Sequence, residues 1–244
     1  MKSVRKAVHS VWAYNLYERD LWVSSQCRQL PAGSKVLDVG AGSCPYRNLL
    51  QHCEYKTQDF QQLTSSQLRD GCYGKIDYVC DASSIPVEDD SFDVIICTEV
   101  IEHIIEPIKV IEEFSRILKP GGKVLLSAPL GSGIHQEPHH YYGGFTPFWY
   151  KSILERNGFK EIRVEENRGS YAFFSQESIR FVASTKPWKL KTNIISRLLW
   201  LPIWIALSPI LAIAIPIISR ILDKYDAEKK FTVGYHVVAQ KGFK

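Results

Sequence analysis

The chain has 244 residues, 45% of them hydrophobic, with 30 lysines and arginines against 26 aspartates and glutamates. That length accommodates one domain with a sizeable core plus an attachment, and the near balance of charge excludes bulk electrostatic binding of nucleic acid. Cys27, Cys44, Cys53, Cys72, Cys80 and Cys97 form no CxxC pair and read as free thiols of a reducing compartment. Histidines and cysteines do not fall at ligand spacing either, so no metal site is expected.

The first residues are basic but run into a polar, aromatic stretch from Trp12 to Asp20, which is not the pattern of a secretory signal peptide. Val4, Val8, Val11, Trp12, Leu16, Leu21, Trp22 and Val23 recur at helical intervals up to Pro31 and Gly33. They predict one or two amphipathic helices, serving either as a lid over a ligand site or as packing against a sheet. From Lys35 to Pro45 an apolar strand (Val36, Leu37, Val39) runs into a turn with Gly40 and Gly42, the place where nucleotide-like ligands approach a backbone. Asp38 interrupts that strand with a charge.

Further strand-like runs follow, each ending in a polar group. The second, Tyr55 to Asp59, ends in a carboxylate able to accept both hydroxyls of a ribose. Residues 60–74 are polar and read as a loop. A third run, Ile76 to Asp81, ends in another acid; a fourth, Phe92 to Thr98, leads through Glu99 into a predicted helix carrying Glu102 and His103. Ile108, Ile111, Phe114, Ile117 and Leu118 share one face of a crossover helix that Pro120 and Gly121 terminate, and Lys123 to Pro129 is the fifth strand. The segment from Gly131 to Phe145, rich in histidine and aromatics, follows the end of a central strand, where substrates bind in open α/β sheets. Thr146 caps a helix with Pro147 at its first position, Lys160 to Glu165 is a sixth strand, and 171–185 a further helix.

From Leu198 to Ser219 no charge occurs, and as one helix at 1.5 Å per residue the run would reach about 33 Å. Length makes it a transmembrane candidate, yet the chain continues into a strand-like run, Phe231 to Gln240. If that run joins the same sheet, the segment must leave and return on one side, as a re-entrant hairpin turning near Ser208 and Pro209 or as helices lying in the interface. Lys186, Lys189, Lys191 and Arg197 precede the run and Arg220, Lys224, Lys229 and Lys230 follow it, which places both ends at the cytoplasmic face of the cell membrane. Trp188, Trp200 and Trp204 are candidate interfacial anchors. A buried helical pair or a dimer face is the alternative.

Taken together, these ordered motifs resemble a class I S-adenosylmethionine-dependent methyltransferase of the type 11 kind, over roughly residues 34–165 and the last fourteen. The resemblance implies a Rossmann-like, doubly wound α/β sheet of seven strands with the last antiparallel, and a hydrophobic helical insert before that last strand. It divides the chain into an N-terminal lid (1–33), a cofactor-binding core (34–185), a membrane-associating insert (186–230) and the last core strand (231–244). By the same resemblance Asp38, Gly40 and Gly42 surround the methionine part of S-adenosylmethionine, Asp59 holds the ribose, and Asp81 with Ala82 the adenine. Thr98 and Glu99 lie beside the sulfonium. Cys44 takes the place of the motif's third glycine.

Methyl transfer to a hydroxyl needs the nucleophile in line with the methyl carbon and its proton removed. His139 and His140 are the candidate bases, with His135 behind them and the pair Glu102 and His103 as a second possibility. The loop and the C-terminal insert resemble methyltransferases of surface-polysaccharide synthesis, implying O-methylation of a sugar hydroxyl, on a lipid-linked glycan at the membrane surface. Three rivals stay open: methylation of an isoprenoid quinone or another lipid, a dinucleotide site lacking its third glycine, and a membrane-bound cofactor-binding scaffold without turnover. No nucleic-acid partner is expected, since no basic, aromatic groove appears and residues 98–101 lack the signature of base-amine methylation.

Overall fold

The computed structural model describes residues 12–243. Contacts divide the chain into two compact units, Arg19–Glu165 with Gly234–Lys244, and Met1–Glu18 with Glu166–Val233.

The larger unit is a seven-stranded sheet of β1 (Lys35–Val39), β2 (Glu54–Asp59), β3 (Tyr78–Val79), β4 (Phe92–Thr98), β5 (Leu118–Pro129), β6 (Phe159–Glu166) and β7 (Gly234–Lys241), in the order β3-β2-β1-β4-β5-β7-β6. Strands β3, β2, β1, β4 and β5 are parallel and β7 runs antiparallel to β5, with Ser127 opposite His236. The expected α/β architecture is therefore present, including the antiparallel last strand. Because successive strand residues face opposite sides, β4 feeds two cores. Ile95 and Cys97 join Val124 and Leu126 under α2 (Pro107–Ile117) and α3 (Pro147–Arg156), with Phe114, Tyr150 and Leu154 filling that layer. Val94 and Ile96 join Val36, Tyr46, Leu50 and Leu125 on the other face.

Val23 and Cys27, from the C-terminal half of α1 (Tyr14–Arg28), cover that second face. Between the two roles expected for the N-terminal helix, this half performs packing; the part of the predicted helical region before residue 12 lies outside the described residues. Most predicted strands agree within a few residues, but the third shrinks to Tyr78–Val79 and the fifth begins at Leu118. Thr146 caps α3 as expected, its hydroxyl accepting from the Trp149 N–H at 3.3 Å. Glu102 and His103 sit on one 3-10 turn, Ile101–His103, and not on an α-helix; α2 starts only at Pro107.

The smaller unit is a helical hairpin. Its first arm is α4 (Ser170–Ser184); its second is a continuous helical run from Ile194 to Tyr225, made of α5 (Ile194–Pro209), a π-helical turn (Ile210–Ala214), α6 (Ile215–Leu222) and a final 3-10 turn. The arms are antiparallel. Asp223 Oδ1 accepts the Gly169 N–H at 3.0 Å, the Ser178 hydroxyl donates to the Leu211 carbonyl at 2.8 Å, and the Trp200 indole donates to the Thr185 carbonyl at 2.7 Å. Small side chains let the arms approach, with Ala172, Ser175 and Ser178 buried on one and Pro216 and Ser219 on the other.

This overturns the hairpin expected at Ser208 and Pro209. Proline removes one N–H and crowds the preceding turn, and the chain answers by widening to a π turn instead of reversing. The reversal lies at 186–193, where Lys186, Lys189 and Lys191 sit. Trp200 and Trp204 donate their indole N–H groups to carbonyls at the C-terminal end of α4, Thr185 and Val182, that helical bonding leaves open. Trp188 remains exposed.

Candidate active site

The residues singled out in the sequence converge on one edge of the sheet. Since β3, β2, β1 and β4 are adjacent and parallel, their carboxyl ends present Asp81, Asp59, the turn from Asp38 to Gly42, and Thr98 with Glu99, side by side in that order. Sheets of this kind take nucleotide ligands at that edge, where the strand order reverses. Here the reversal falls between β1 and β4.

Gly40 and Gly42 have φ of 66° and 50°, backbone that β-carbons disfavour. A Cβ on Gly40 would lie 2.3 Å from Val100 Cγ2, so the turn is pressed against the segment leaving β4. Asp59 fastens the same turn: Oδ2 accepts the Gly42 N–H at 2.9 Å and Oδ1 the Gln61 N–H at 2.8 Å. A carboxylate offers about four acceptor positions, and the Phe60 N–H and the Tyr73 hydroxyl also bear on this one. Burial holds its pKa above the ordinary carboxylate value, opposed by those backbone donors.

Asp38 is internally partnered, accepting from the Tyr55 hydroxyl at 2.5 Å; burial pushes its pKa up to about 7. Its visible task is to hold β1 and β2 in register beneath the turn. Asp81 is exposed, and its Oδ1 accepts both the backbone N–H and the hydroxyl of Ser83 at 2.8 and 2.6 Å, while Ala82 is buried. A glycine turn that only a Cβ-free backbone can make, flanked by carboxylates on the next two strands, fits the expected cofactor. Cys44 is accommodated with φ 53°, so the missing third glycine leaves the turn intact.

Glu99 (φ 55°) accepts from the Ser127 hydroxyl at 2.8 Å and lies 3.8 Å from Arg19 of α1, a partner that the sequence did not announce. One turn later Glu102 is fully buried, and neither carboxylate oxygen accepts a hydrogen bond among the described residues. Burial and then Glu99 push its pKa well up. The Tyr150 hydroxyl and His236 Nε2 are likewise buried without partners, and His236 stacks on Trp22 at 4.6 Å between centroids.

The histidine loop after β5 is fastened to this turn. The Glu102 carbonyl accepts the N–H groups of Tyr141 and Tyr142 at 3.0 and 3.1 Å, and His103 Nδ1 donates to the His139 carbonyl. On its other side the Gln67 side-chain amide donates to the Glu137 carbonyl at 3.0 Å, bridging to the loop that follows β2. His139 and His140, adjacent in sequence, diverge. The His139 ring meets Phe60 edge-on at 5.1 Å, whereas His140 joins His103 and His135, at 5.5 and 4.4 Å between centroids. Ligand-type residues that the sequence spacing does not bring together meet here: one ligand atom each from Glu102, His103 and His135 lies within 4.8 Å of the others. Folding, not spacing, assembles that group: β4 and β5 are paired and their loops meet.

Comparison with known proteins agrees with this geometry. Residues 37–126 match the methyltransferase domain family. A demethylmenaquinone methyltransferase of Clavibacter sepedonicus is 30% identical over 100 residues, covering 39% of this chain and 41% of that protein. A tRNA (carboxymethyluridine(34)-5-O)-methyltransferase of Arabidopsis thaliana is 30% identical over 164 residues, covering 64% and 38%. The chain thus spans about two fifths of the length of these two relatives. Among solved structures, a SAM-dependent methyltransferase from Archaeoglobus fulgidus shares the fold with a TM-score of 0.55 and 18% identity, covering 93% of each chain.

Proposed function

We propose, from the premise that this chain belongs with the class I S-adenosylmethionine-dependent methyltransferases, that it methylates a hydroxyl of a lipid-borne acceptor at a membrane surface. A sugar hydroxyl of a lipid-linked glycan is the acceptor class we favour. When bound, S-adenosylmethionine supplies the methyl carbon together with its own leaving group. The chain's residues supply the rest: Gly40 and Gly42 let the backbone approach the ligand, Asp59 accepts from the ribose, and Asp81 and Ala82 flank the adenine. Thr98 and Glu99 border the reacting end.

The observation that carries the hydroxyl chemistry is the fastening of the histidine loop to the turn after β4. It sets His140 beside His103 and His135, close to the strand ends that hold the cofactor. Burial and then His135 hold the His140 pKa below the ordinary histidine value, so at neutral pH the ring is uncharged and able to take a proton from an acceptor hydroxyl. His139 faces Phe60 and is assigned to positioning.

Support for a membrane surface comes from the helical hairpin. Its 32-residue arm is apolar enough to cross a bilayer, and only 6% of its most apolar window is buried. Leu199, Ile203, Ile210, Ile213, Ile217 and Ile221 form an exposed stripe along it. At 1.5 Å per residue the arm is about 48 Å long, with Lys186, Lys189, Lys191 and Arg197 near one end and Arg220, Lys224, Lys229 and Lys230 near the other. Both chain connections of the hairpin lead to neighbouring strands, β6 and β7. Keeping both basic ends on one leaflet therefore favours a hairpin lying in the cytoplasmic interface over one that dips through it. Attachment raises the effective concentration of a lipid-borne acceptor.

The quinone-methylating relative supports a second acceptor class, an isoprenoid quinone. Incubating the full chain with methyl-labelled S-adenosylmethionine, vesicles and either a lipid-linked glycan or a quinone tests both. Label in the glycan fraction is expected, and label in the quinone fraction alone would replace the acceptor class. Saturable cofactor binding with no label in either would refute turnover on such acceptors and leave the scaffold.

A further inference from the structure

Glu102, His103 and His135 are bound to the fold in a way that general-base chemistry does not require. Glu102 is fully buried, and among the described residues neither oxygen accepts a hydrogen bond; His103 Nε2 lies 3.7 Å from Oε1. A buried carboxyl avoids the cost of an uncompensated charge by staying protonated, and a cation at its open side would stabilise the ionised form instead.

Two neighbouring rings offer lone pairs to a cation beside that carboxyl. A carbonyl oxygen can only accept, so the hydrogen bonds from His103 Nδ1 to the His139 carbonyl and from His135 Nδ1 to the Gly133 carbonyl (2.9 Å) fix the proton on Nδ1 in both rings. Nε2 of each is then the bare nitrogen. This is the arrangement by which backbone acceptors orient metal-bound histidines. One ligand atom from each of the three residues lies within 4.8 Å of the others; donors about 2.0–2.2 Å from a common ion stand at most ~4.4 Å apart, so the side chains close in slightly on an ion. His135 is exposed, giving an entry path, and His140 stands at the rim with Nε2 3.2 Å from the Ser132 hydroxyl.

We propose that Glu102, His103 and His135 form a binding site for one divalent transition-metal ion of the zinc class, with further coordination positions open to an acceptor hydroxyl. Two imidazoles and one carboxylate suit such an ion better than magnesium, which takes oxygen ligands and keeps its waters. The binding claim stands without the function above; its catalytic consequence rests on it. An ion held by Glu102, His103 and His135 would lower the pKa of an acceptor hydroxyl, whose proton would pass through His140 to solvent; the oxygen would bond to the methyl carbon as the carbon–sulfur bond broke with its electron pair on sulfur, with no oxidant or reductant consumed.

The test uses the full chain, freed of metal with a chelator and titrated with cobalt(II) under visible absorption, then with zinc in competition. One ion per chain is expected, with the d–d bands of nitrogen and oxygen ligation and displacement by zinc. His135→Ala, in an exposed loop, should weaken binding at least tenfold while calorimetric S-adenosylmethionine binding stays unchanged; Glu102→Gln should do the same if it folds by circular dichroism. No saturable cobalt or zinc binding, equal binding by His135→Ala, or binding of magnesium alone would overturn the site. Loss of cofactor binding in the unmodified chain with metal binding intact would overturn the function and leave the site standing.

Discussion

Substituting Gly40 by alanine tests whether the glycine turn is shaped by its ligand or by the segment behind it. At φ 66° an alanine costs about 1–2 kcal/mol, the usual penalty of a left-handed residue with a Cβ. That Cβ would also stand 2.3 Å from Val100 Cγ2 and 2.9 Å from Val100 Cγ1, so Val100 or the turn must move. Overlap of this kind typically adds about 1–3 kcal/mol. Val100 lies between Glu99 and the turn carrying Glu102, so its displacement reaches the candidate site directly. Cofactor affinity, read by calorimetry, should fall at least tenfold in Gly40→Ala, since each 1.4 kcal/mol is a factor of ten. In Gly40→Ala combined with Val100→Ala the closest overlap is relieved, leaving the backbone penalty and a tight 3.2 Å approach to the remaining Cβ of residue 100, so the double variant should bind more tightly than the Gly40 variant. Additive losses in the two substitutions would refute the reasoning, because they would mean that Val100 does not press on the turn.

Asp59→Ala removes both the proposed ribose acceptor and the partner of the Gly42 and Gln61 N–H groups. It should cost at least tenfold in cofactor affinity and leave vesicle binding unchanged, as sedimentation would show. Burial holds the His236 pKa down at about 4 against 6.5 for an exposed ring. The unfolded chain therefore takes up a proton below pH 6.5 that the native chain refuses until about pH 4, and stability falls as pH falls through that window. Two and a half pKa units correspond to ~3 kcal/mol; comparing urea unfolding of wild type and His236→Phe at pH 7 and 4.5 should reveal most of that difference, and parallel pH profiles would refute it. Ile210→Glu with Ile217→Glu should lower partition onto anionic vesicles at least tenfold, since each buried apolar side chain is worth about 1.5–3 kcal/mol. Retained vesicle binding with unchanged folding would discard the stripe as the contact surface.

The sheet was legible because each buried strand carries an apolar run punctuated by a glycine or an acid, as in Val36 to Gly40 and Phe92 to Thr98, and because parallel strands aligned those punctuation points at one edge. Local chemistry sufficed. Thr146 and Pro147 predicted their helix start for the same reason. What the sequence hid depends on contacts distant along the chain. The apolar spacing around Glu102 suits a helix, but Pro107 reopens the helix later and leaves a 3-10 turn, so the carboxylate points where no i, i+4 pattern would send it. His135 reaches His103 only because β4 pairs with β5 and the Glu102 carbonyl holds the returning loop. The Thr185 and Val182 carbonyls that receive the Trp200 and Trp204 indoles come from α4, a partner that the insert's own sequence does not show.

The same dependence explains why the three prolines of the insert do not break it. A proline interrupts a helix by forfeiting one hydrogen bond and crowding the carbonyl four residues earlier, a penalty of ~3 kcal/mol in isolation. Here the π turn at Ile210–Ala214 absorbs the crowding behind Pro209, and Pro216 sits at the second position of α6 and is buried against the opposing arm. Ser178 donates to the Leu211 carbonyl inside that very turn, so α4 supplies a partner where the helical ladder is distorted. The kinked run is thus completed by its antiparallel neighbour along one side, and the apolar stripe from Leu199 to Ile221 lies on the side that this neighbour does not cover. Pro202 and Pro209 are exposed, and the Ser208 hydroxyl donates to the Ile205 carbonyl, so the arm also satisfies part of its backbone on its own outer side, as an apolar surface resting on lipid requires.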